Sequence, residues 1–100
     1  MFTFVKEVNM ARTSSLKSAI FKLNAPRAKR VSLAGNFNNW DVKSNLAKKD
    51  IKGNWTVKVS LKPGKHEYKF FVDGNWVNDP NCKSCVGNSF GSQNCITEIR

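Results

Sequence analysis

The most regular pattern in the chain is Asn54-Trp55-Thr56-Val57-Lys58-Val59-Ser60-Leu61, where Trp55, Val57, Val59 and Leu61 alternate with Thr56, Lys58, Ser60 and Lys62. Successive side chains of a strand point to opposite faces, so this alternation predicts a strand with one face in a core and one in water. Trp55 falls in the buried set. The turn Lys62-Pro63-Gly64-Lys65 follows, with proline presetting φ and glycine supplying a positive φ. His66 to Val72 then returns as the partner strand, with Tyr68, Phe70 and Val72 inward. Asp73-Gly74 makes a tight hairpin, and Asn75-Trp76-Val77 starts back until Asn78-Asp79-Pro80 breaks the run. Upstream, Ala19 to Leu23 and Arg30 to Ala34 read as strands, the second with Val31 and Leu33 on one face. Asn24-Ala25-Pro26 ends the first, because proline has no ladder donor. Val42 to Asp50 is weakly patterned, with Leu46 as its expected anchor. Residues 81–93, rich in asparagine, serine and glycine, read as a loop, and Cys95 to Ile99 as a last strand.

No helical period of useful length interrupts this series. Short strands with frequent turn signals predict an all-β fold, an antiparallel β-sandwich over residues 18–100. Residues 1–17 are basic and hydroxyl-rich and read as an N-terminal arm, flexible or carrying a short added strand around Phe2, Phe4 and Val5. One hundred residues make one domain with a modest core and leave no room for a catalytic barrel. The net charge of +10, from 17 basic and 7 acidic residues, raises the question of an anionic partner. The basic residues are scattered, however, and alternate positions such as Lys58 and Lys62 read as a solvated sheet face. An acidic protein partner stays open as a second reading, and nucleic acid ranks third. No stretch is long enough for a transmembrane helix, and the start, with Lys6 and Glu7, lacks the apolar run of a signal peptide. With an odd number of cysteines, 3, a cytoplasmic, soluble protein is expected.

Two tryptophans break the pattern. Trp40 closes Gly35-Asn36-Phe37-Asn38-Asn39-Trp40, and Trp76 follows Asp73-Gly74-Asn75. Indoles in polar turns are badly placed for a core. They read either as a lid over the end of the sandwich or as a flat platform for an outside ligand. A sugar ring laid on an indole buries its C–H face while its hydroxyls stay at the rim. By analogy with base–aromatic stacking, each ring would contribute about 1–3 kcal/mol. Specificity then falls to polar groups at the edge. Asparagine both donates and accepts, and Asn36, Asn38, Asn39, Asn75, Asn78, Asn88 and Asn94 crowd these turns, although turn geometry alone explains several of them. Lys69 points opposite to Tyr68 and Phe70, either as a solvated strand lysine or as a donor at the platform edge. Phe71 shares that face and needs a cover, for which Trp76 is the nearest candidate.

Catalytic groupings are absent from the sequence. The single histidine, His66, begins a strand beside a turn. The carboxylates Asp41, Asp50, Glu67, Asp73 and Asp79 lie mostly in turns, and no glycine-rich phosphate loop precedes a helix. Neither enzyme activity nor a cofactor is expected. Cys82-Lys83-Ser84-Cys85 is a C-x-x-C pair, but a structural zinc site takes four ligands, and the further candidates are only Cys95 and His66. No metal site is expected there; free thiols or a Cys82–Cys85 link is the simpler reading.

The blocks Gly35 to Trp40, Leu61 to Trp76, Asp79-Pro80 and Phe90-Gly91-Ser92-Gln93-Asn94 occur in an order that resembles carbohydrate-binding module family 48. Within it they look most like the glycogen-binding domain of the AMP-activated protein kinase β subunit. The resemblance covers roughly Ser18 to Arg100. It implies an immunoglobulin-like early-set sandwich that binds α-1,4-linked glucans such as glycogen, maltooligosaccharide or cyclodextrin without cleaving them. It also implies roles: Trp40 and Trp76 as stacking rings, and Lys69 and Asn94 as hydroxyl contacts. Phe90 would be the apolar residue pressing on the glucan, with Ser92 as its hydroxyl neighbour. Cys82 and Cys85 are unusual in the loop that precedes Phe90. The β subunit's assembly region and the barrel of the glucan-processing enzymes have no counterpart here, so the chain reads as a stand-alone protein or a fragment, Met1 favouring the former. The alternative function is a protein-interaction adaptor on the same sandwich, regulating or targeting a glucan-metabolising enzyme or kinase.

Overall fold

In the computed structural model, residues 16–100 are described, and every regular element among them is a strand. In chain order these are β1 (Lys17–Asn24), β2 (Val31–Gly35), β3 (Lys48–Lys49), β4 (Asn54–Leu61), β5 (Gly64–Val72), β6 (Asn75–Val77), β7 (Ser84–Gly87) and β8 (Gln93–Ile99). They form two antiparallel sheets. One has the order β1-β4-β3; the other has the order β2-β5-β8-β7, with β6 added against β5. The N-terminal arm expected from the sequence lies outside the described residues except for its last two, Leu16 and Lys17.

The alternation read from the sequence is the register of the sandwich. Trp55, Val57, Val59 and Leu61 are buried on the inner face of β4 and meet Leu23, Phe21, Ala19 and Lys17 across the β1 ladder. The other sheet supplies Val31, Leu33, Tyr68, Phe70 and Cys95 to the same core. Each large apolar side chain so buried contributes about 1.5–3 kcal/mol relative to exposure. Trp55 is inside, and its indole N–H is satisfied by donating to the Ala25 carbonyl at 2.9 Å. Tyr68 packs on Phe21 with centroids 4.8 Å apart, and its hydroxyl donates to the buried Asp79 carboxylate at 2.7 Å. Burial first, and the Asp79 hydrogen bond second, push the Tyr68 phenol well above its ordinary pKa, so it stays a neutral donor.

The turns are built by polar side chains. Asp73, at φ +48, starts the β5–β6 hairpin, and its carboxylate accepts the backbone N–H groups of Lys29 (3.0 Å) and Arg30 (2.8 Å). That fixes the entry to β2 against the hairpin that carries Trp76.

Four expectations are corrected. His66 to Val72 does not return as the partner of Asn54–Leu61: both strands turn their apolar faces to the shared core from opposite sheets, and β5 pairs with β2, β8 and β6 instead. Residues 81–93 are not a continuous loop, because Ser84–Gly87 pairs with β8 as β7. Its composition hides a strand whose stability comes from the ladder and not from apolar side chains. The weakly patterned segment contains the short strand β3. Leu46 does not anchor it: that side chain is 57% exposed, and Ala47 packs on the core instead. The segment is held through its backbone, with Leu33 N–H donating to Asn45 and Ala47 N–H to Val31, both at 2.9 Å.

Candidate binding site

Core residues of β5 alternate with Glu67, Lys69 and Phe71, which therefore lie on the outer face of the larger sheet. β5 also changes partner here. Its edge pairs with β8 as far as Tyr68↔Cys95 and with β6 from Phe70↔Val77 onward. Lys69 stands at that fork. A hollow of about 660 Å³ opens above it, lined by Trp40, Glu67, Lys69, Trp76, Asn88, Ser89, Phe90, Ser92 and Asn94. All six residues singled out from the sequence thus converge from four parts of the chain.

Trp40 is placed by the turn after β2. Asn38 organises that turn: its side-chain oxygen accepts from Gly35 N–H at 3.0 Å, and its amide donates to Leu33 O and to Asn45 Oδ1. Asn39 (φ +57) and Trp40 (φ +58) are both left-handed, and Trp40 N–H closes on the Gly35 carbonyl at 2.9 Å. A left-handed conformation costs a residue with a Cβ roughly 1–2 kcal/mol, and for a tryptophan it is uncommon. Gly35 has no alternative here, because a Cβ would run into the Glu67 carbonyl oxygen and the Phe37 ring. Beyond Trp40, the Asp41 carboxylate accepts from Lys43 N–H at 2.9 Å and Ser44 Oγ at 2.8 Å; the Lys43 amide chiefly, then the Ser44 hydroxyl, hold its pKa below the ordinary value.

Trp76 comes from β6, opposite Phe71 in register. The two rings meet at 4.9 Å, so Phe71 has the cover that the sequence called for, while Trp76 remains 47% exposed. Trp40 and Trp76 stand edge to face, with centroids 6.1 Å apart and planes at 77°. They form a corner, not a flat shelf.

The floor is polar and connected. Lys69 is only 8% exposed, which rules out the solvated-strand reading; its ammonium donates to Ser92 Oγ at 3.0 Å. Asn88 organises the β7–β8 loop. Its amide donates to Ser92 Oγ at 2.9 Å and to Asn94 Oδ1 at 3.0 Å, and its oxygen accepts from Phe90 N–H at 2.9 Å and Ser92 N–H at 3.2 Å. Asn94, buried, donates to Glu67 Oε1 at 3.1 Å. Phe90 tops the same loop and is 91% exposed. Glu67 and Ser89 were missed as site residues, and Asn88 was noted only as one asparagine among many. The period-two relation of Glu67 to Lys69 was the signal available for the first.

Such a corner suits an uncharged ligand with apolar faces and a hydroxyl rim. His66 plays no part in it; its Nε2 is 2.7 Å from the Lys62 carbonyl. Elsewhere, the sulfurs of Cys82, Cys85 and Cys95 lie within 4.8 Å of one another. Of the two readings left open for Cys82 and Cys85, free thiols or a link, the structure has free thiols; the convergence of Cys95 on them was not foreseen.

The family described as the glycogen recognition site of AMP-activated protein kinase matches residues 17–100 of this chain. Among curated proteins, the chain is 34% identical over 94 residues to 5'-AMP-activated protein kinase subunit beta-1 of Homo sapiens, covering 94% of this chain and 33% of that one. The subunit beta-1 of Rattus norvegicus matches with the same figures. The subunit beta-2 of Mus musculus is 38% identical over 72 residues, 72% of this chain and 26% of that protein. The chain thus spans about a third of the length of the first of these relatives.

Proposed function

The chain belongs to the family of glycogen recognition sites of AMP-activated protein kinase, and on that premise we propose that it binds α-1,4-linked glucan without cleaving it. The observation that carries this is the indole corner over a polar floor. One glucose ring stacks on Trp76, which Phe71 backs, and the next meets Trp40. The 77° between the indole planes asks successive rings to turn relative to each other. A curved α-1,4 chain does this, and a flat β-1,4 ribbon does not. Lys69 spends one donor on Ser92 and keeps two for sugar hydroxyls. Asn94 presents its remaining amide proton, and Glu67 adds a carboxylate acceptor beside it. Phe90 presses on the chain from the loop side, with Ser92 next to it. No cofactor enters this reading, and the site of action is the cytoplasm. Two rings give weak single-site affinity, which a branched polymer raises by offering many copies.

Glycogen co-sedimentation tests this. Wild type pellets with glycogen and binds maltoheptaose but not cellohexaose, while Trp40→Ala and Trp76→Ala stay in the supernatant. Equal pelleting by both variants, or none by wild type, overturns the reading.

A second reading, an adaptor for an acidic protein, is favoured by one observation. The exposed face of the smaller sheet carries Lys22, Lys48 and Lys58, with no acidic residue in β1, β3 or β4. That face belongs to the opposite sheet from the hollow, so both functions are compatible in one molecule.

A further inference from the structure

Outside the indole hollow, where the chain enters β7, its 3 cysteines come together. Cys82 and Cys85 come from the C-x-x-C turn that enters β7, and Cys95 is the direct cross-strand partner of Cys85 on β8. Cys82 Sγ and Cys85 Sγ are 3.5 Å apart, and all three sulfurs fall within 4.8 Å of one another. A metal bound at about 2.3 Å by thiolates requires neighbouring sulfurs roughly 3.8 Å apart in a tetrahedral site and roughly 4.0 Å apart in a trigonal one. The observed cluster brackets both distances without any change of fold.

We propose that Cys82, Cys85 and Cys95 form a binding site for a thiophilic d¹⁰ cation, Zn²⁺ or Cu⁺. The C-x-x-C spacing is that of structural zinc turns, where two ligands come from one knuckle of backbone. Soft thiolates select these two ions over Mg²⁺, Ca²⁺ or Mn²⁺. Asp79 N–H donates to Cys95 Sγ at 3.3 Å, a contact of the kind that orients and steadies a metal-bound thiolate. Lys65, Lys83 and Glu98 line the adjoining hollow, so the ion's approach is polar. Cys95 is fully buried, Cys82 half-buried and Cys85 exposed, so the ion enters from the solvent side and seats against the core. Binding releases the three thiol protons to solvent and involves no electron transfer. Asp79 is not a ligand, since its carboxylate is occupied by Tyr68 Oη and Asn81 N–H. The fourth position, for Zn²⁺, falls to water or an external group; Cu⁺ needs none.

The site is independent of the glucan reading, because no cysteine lines the indole hollow. The test uses the full chain, reduced and handled anaerobically. Co²⁺, as a spectroscopic stand-in for Zn²⁺, is titrated in one arm, with Zn²⁺ back-titration; Cu⁺ is titrated against a colorimetric chelator in the other. One equivalent of metal with a thiolate charge-transfer band is expected, along with a rise in melting temperature. Cys85 is exposed, so Cys85→Ser folds normally and retains glycogen binding; its metal affinity falls on the order of 100-fold, about one ligand's share of a four-ligand zinc site. Cys82→Ser behaves alike. Tighter retention of Zn²⁺ or of Cu⁺ decides which ion the site prefers. Failure of both ions to bind the reduced protein, or affinity unchanged in Cys85→Ser, overturns the proposal. So does a Cys82–Cys85 disulfide as the sole chemistry seen.

Discussion

Lys69 illustrates how one residue can be half-read from sequence. Its place on the face opposite Tyr68 and Phe70 follows from strand alternation, but its burial does not, since the group that covers it is Ser92, 23 positions away. Contacts of that span are set by folding and leave no local trace. On the proposed reading, Lys69→Met keeps most of the apolar stem and removes the donors. Hydrogen bonds to charged groups carry about 1.5–3 kcal/mol, so maltoheptaose affinity by calorimetry should fall roughly 10- to 100-fold with the melting temperature little changed. Tyr68 gives the complementary case. Tyr68→Phe leaves the buried Asp79 carboxylate without its 2.7 Å hydroxyl donor. An unfolding midpoint in urea should drop by the equivalent of about 1–3 kcal/mol, with glucan binding retained.

At the scale of elements, β1 and β4 were legible because one face of each is buried and the period is two. β7 was not legible, because Ser84-Cys85-Val86-Gly87 has almost nothing to bury and exists through its pairing with β8. The turn before Trp40 was legible as a turn, but its left-handed pair was not. Gly35→Ala should cost about 1–3 kcal/mol of stability through overpacking against Glu67 and Phe37, and should displace Trp40, so that thermal unfolding and glycogen pelleting fail together. The turn into β4 depends on Asp50, which accepts from Lys52 N–H at 2.8 Å and Asn54 N–H at 3.0 Å. Those bonds, the Asn54 amide first, hold its pKa below the ordinary value. The folded state therefore binds fewer protons than the unfolded one near that value. The contribution is fully present above the unfolded pKa of about 3.9 and is lost as pH falls through the folded value. Asp50→Asn should accordingly melt lower than wild type at neutral pH and show a shallower decline below about pH 4. Parallel slopes in the two proteins would refute this.

For the molecule as a whole, the sandwich separates two chemistries onto two sheets. The aromatic hollow is on the larger sheet, and the lysine face is on the smaller. A neutral glucan gains nothing from the net charge of +10, so its affinity should change less than about twofold between low salt and roughly half-molar salt. An acidic partner on the lysine face should be lost over the same range. Pull-downs at the two salt concentrations separate the two. The charge itself was plain in the sequence. That Lys22, Lys48 and Lys58 share one face emerges only when register sets Lys48 opposite Thr56, and Lys22 opposite the same residue from the other side.

The change of partner along β5 has a further outcome. On one side of Lys69 the strand is zipped to β8, on the other to β6, and neither ladder spans the break. Trp76 belongs to the second ladder, and Ser92 and Asn94 to the first and its loop. A bound oligosaccharide would bridge them through side chains alone. On the proposed reading, amide protons of β6 and of the β7–β8 hairpin should then exchange with deuterium more slowly in its presence, and the two segments should slow in concert. In its resting state each should exchange at a rate of its own.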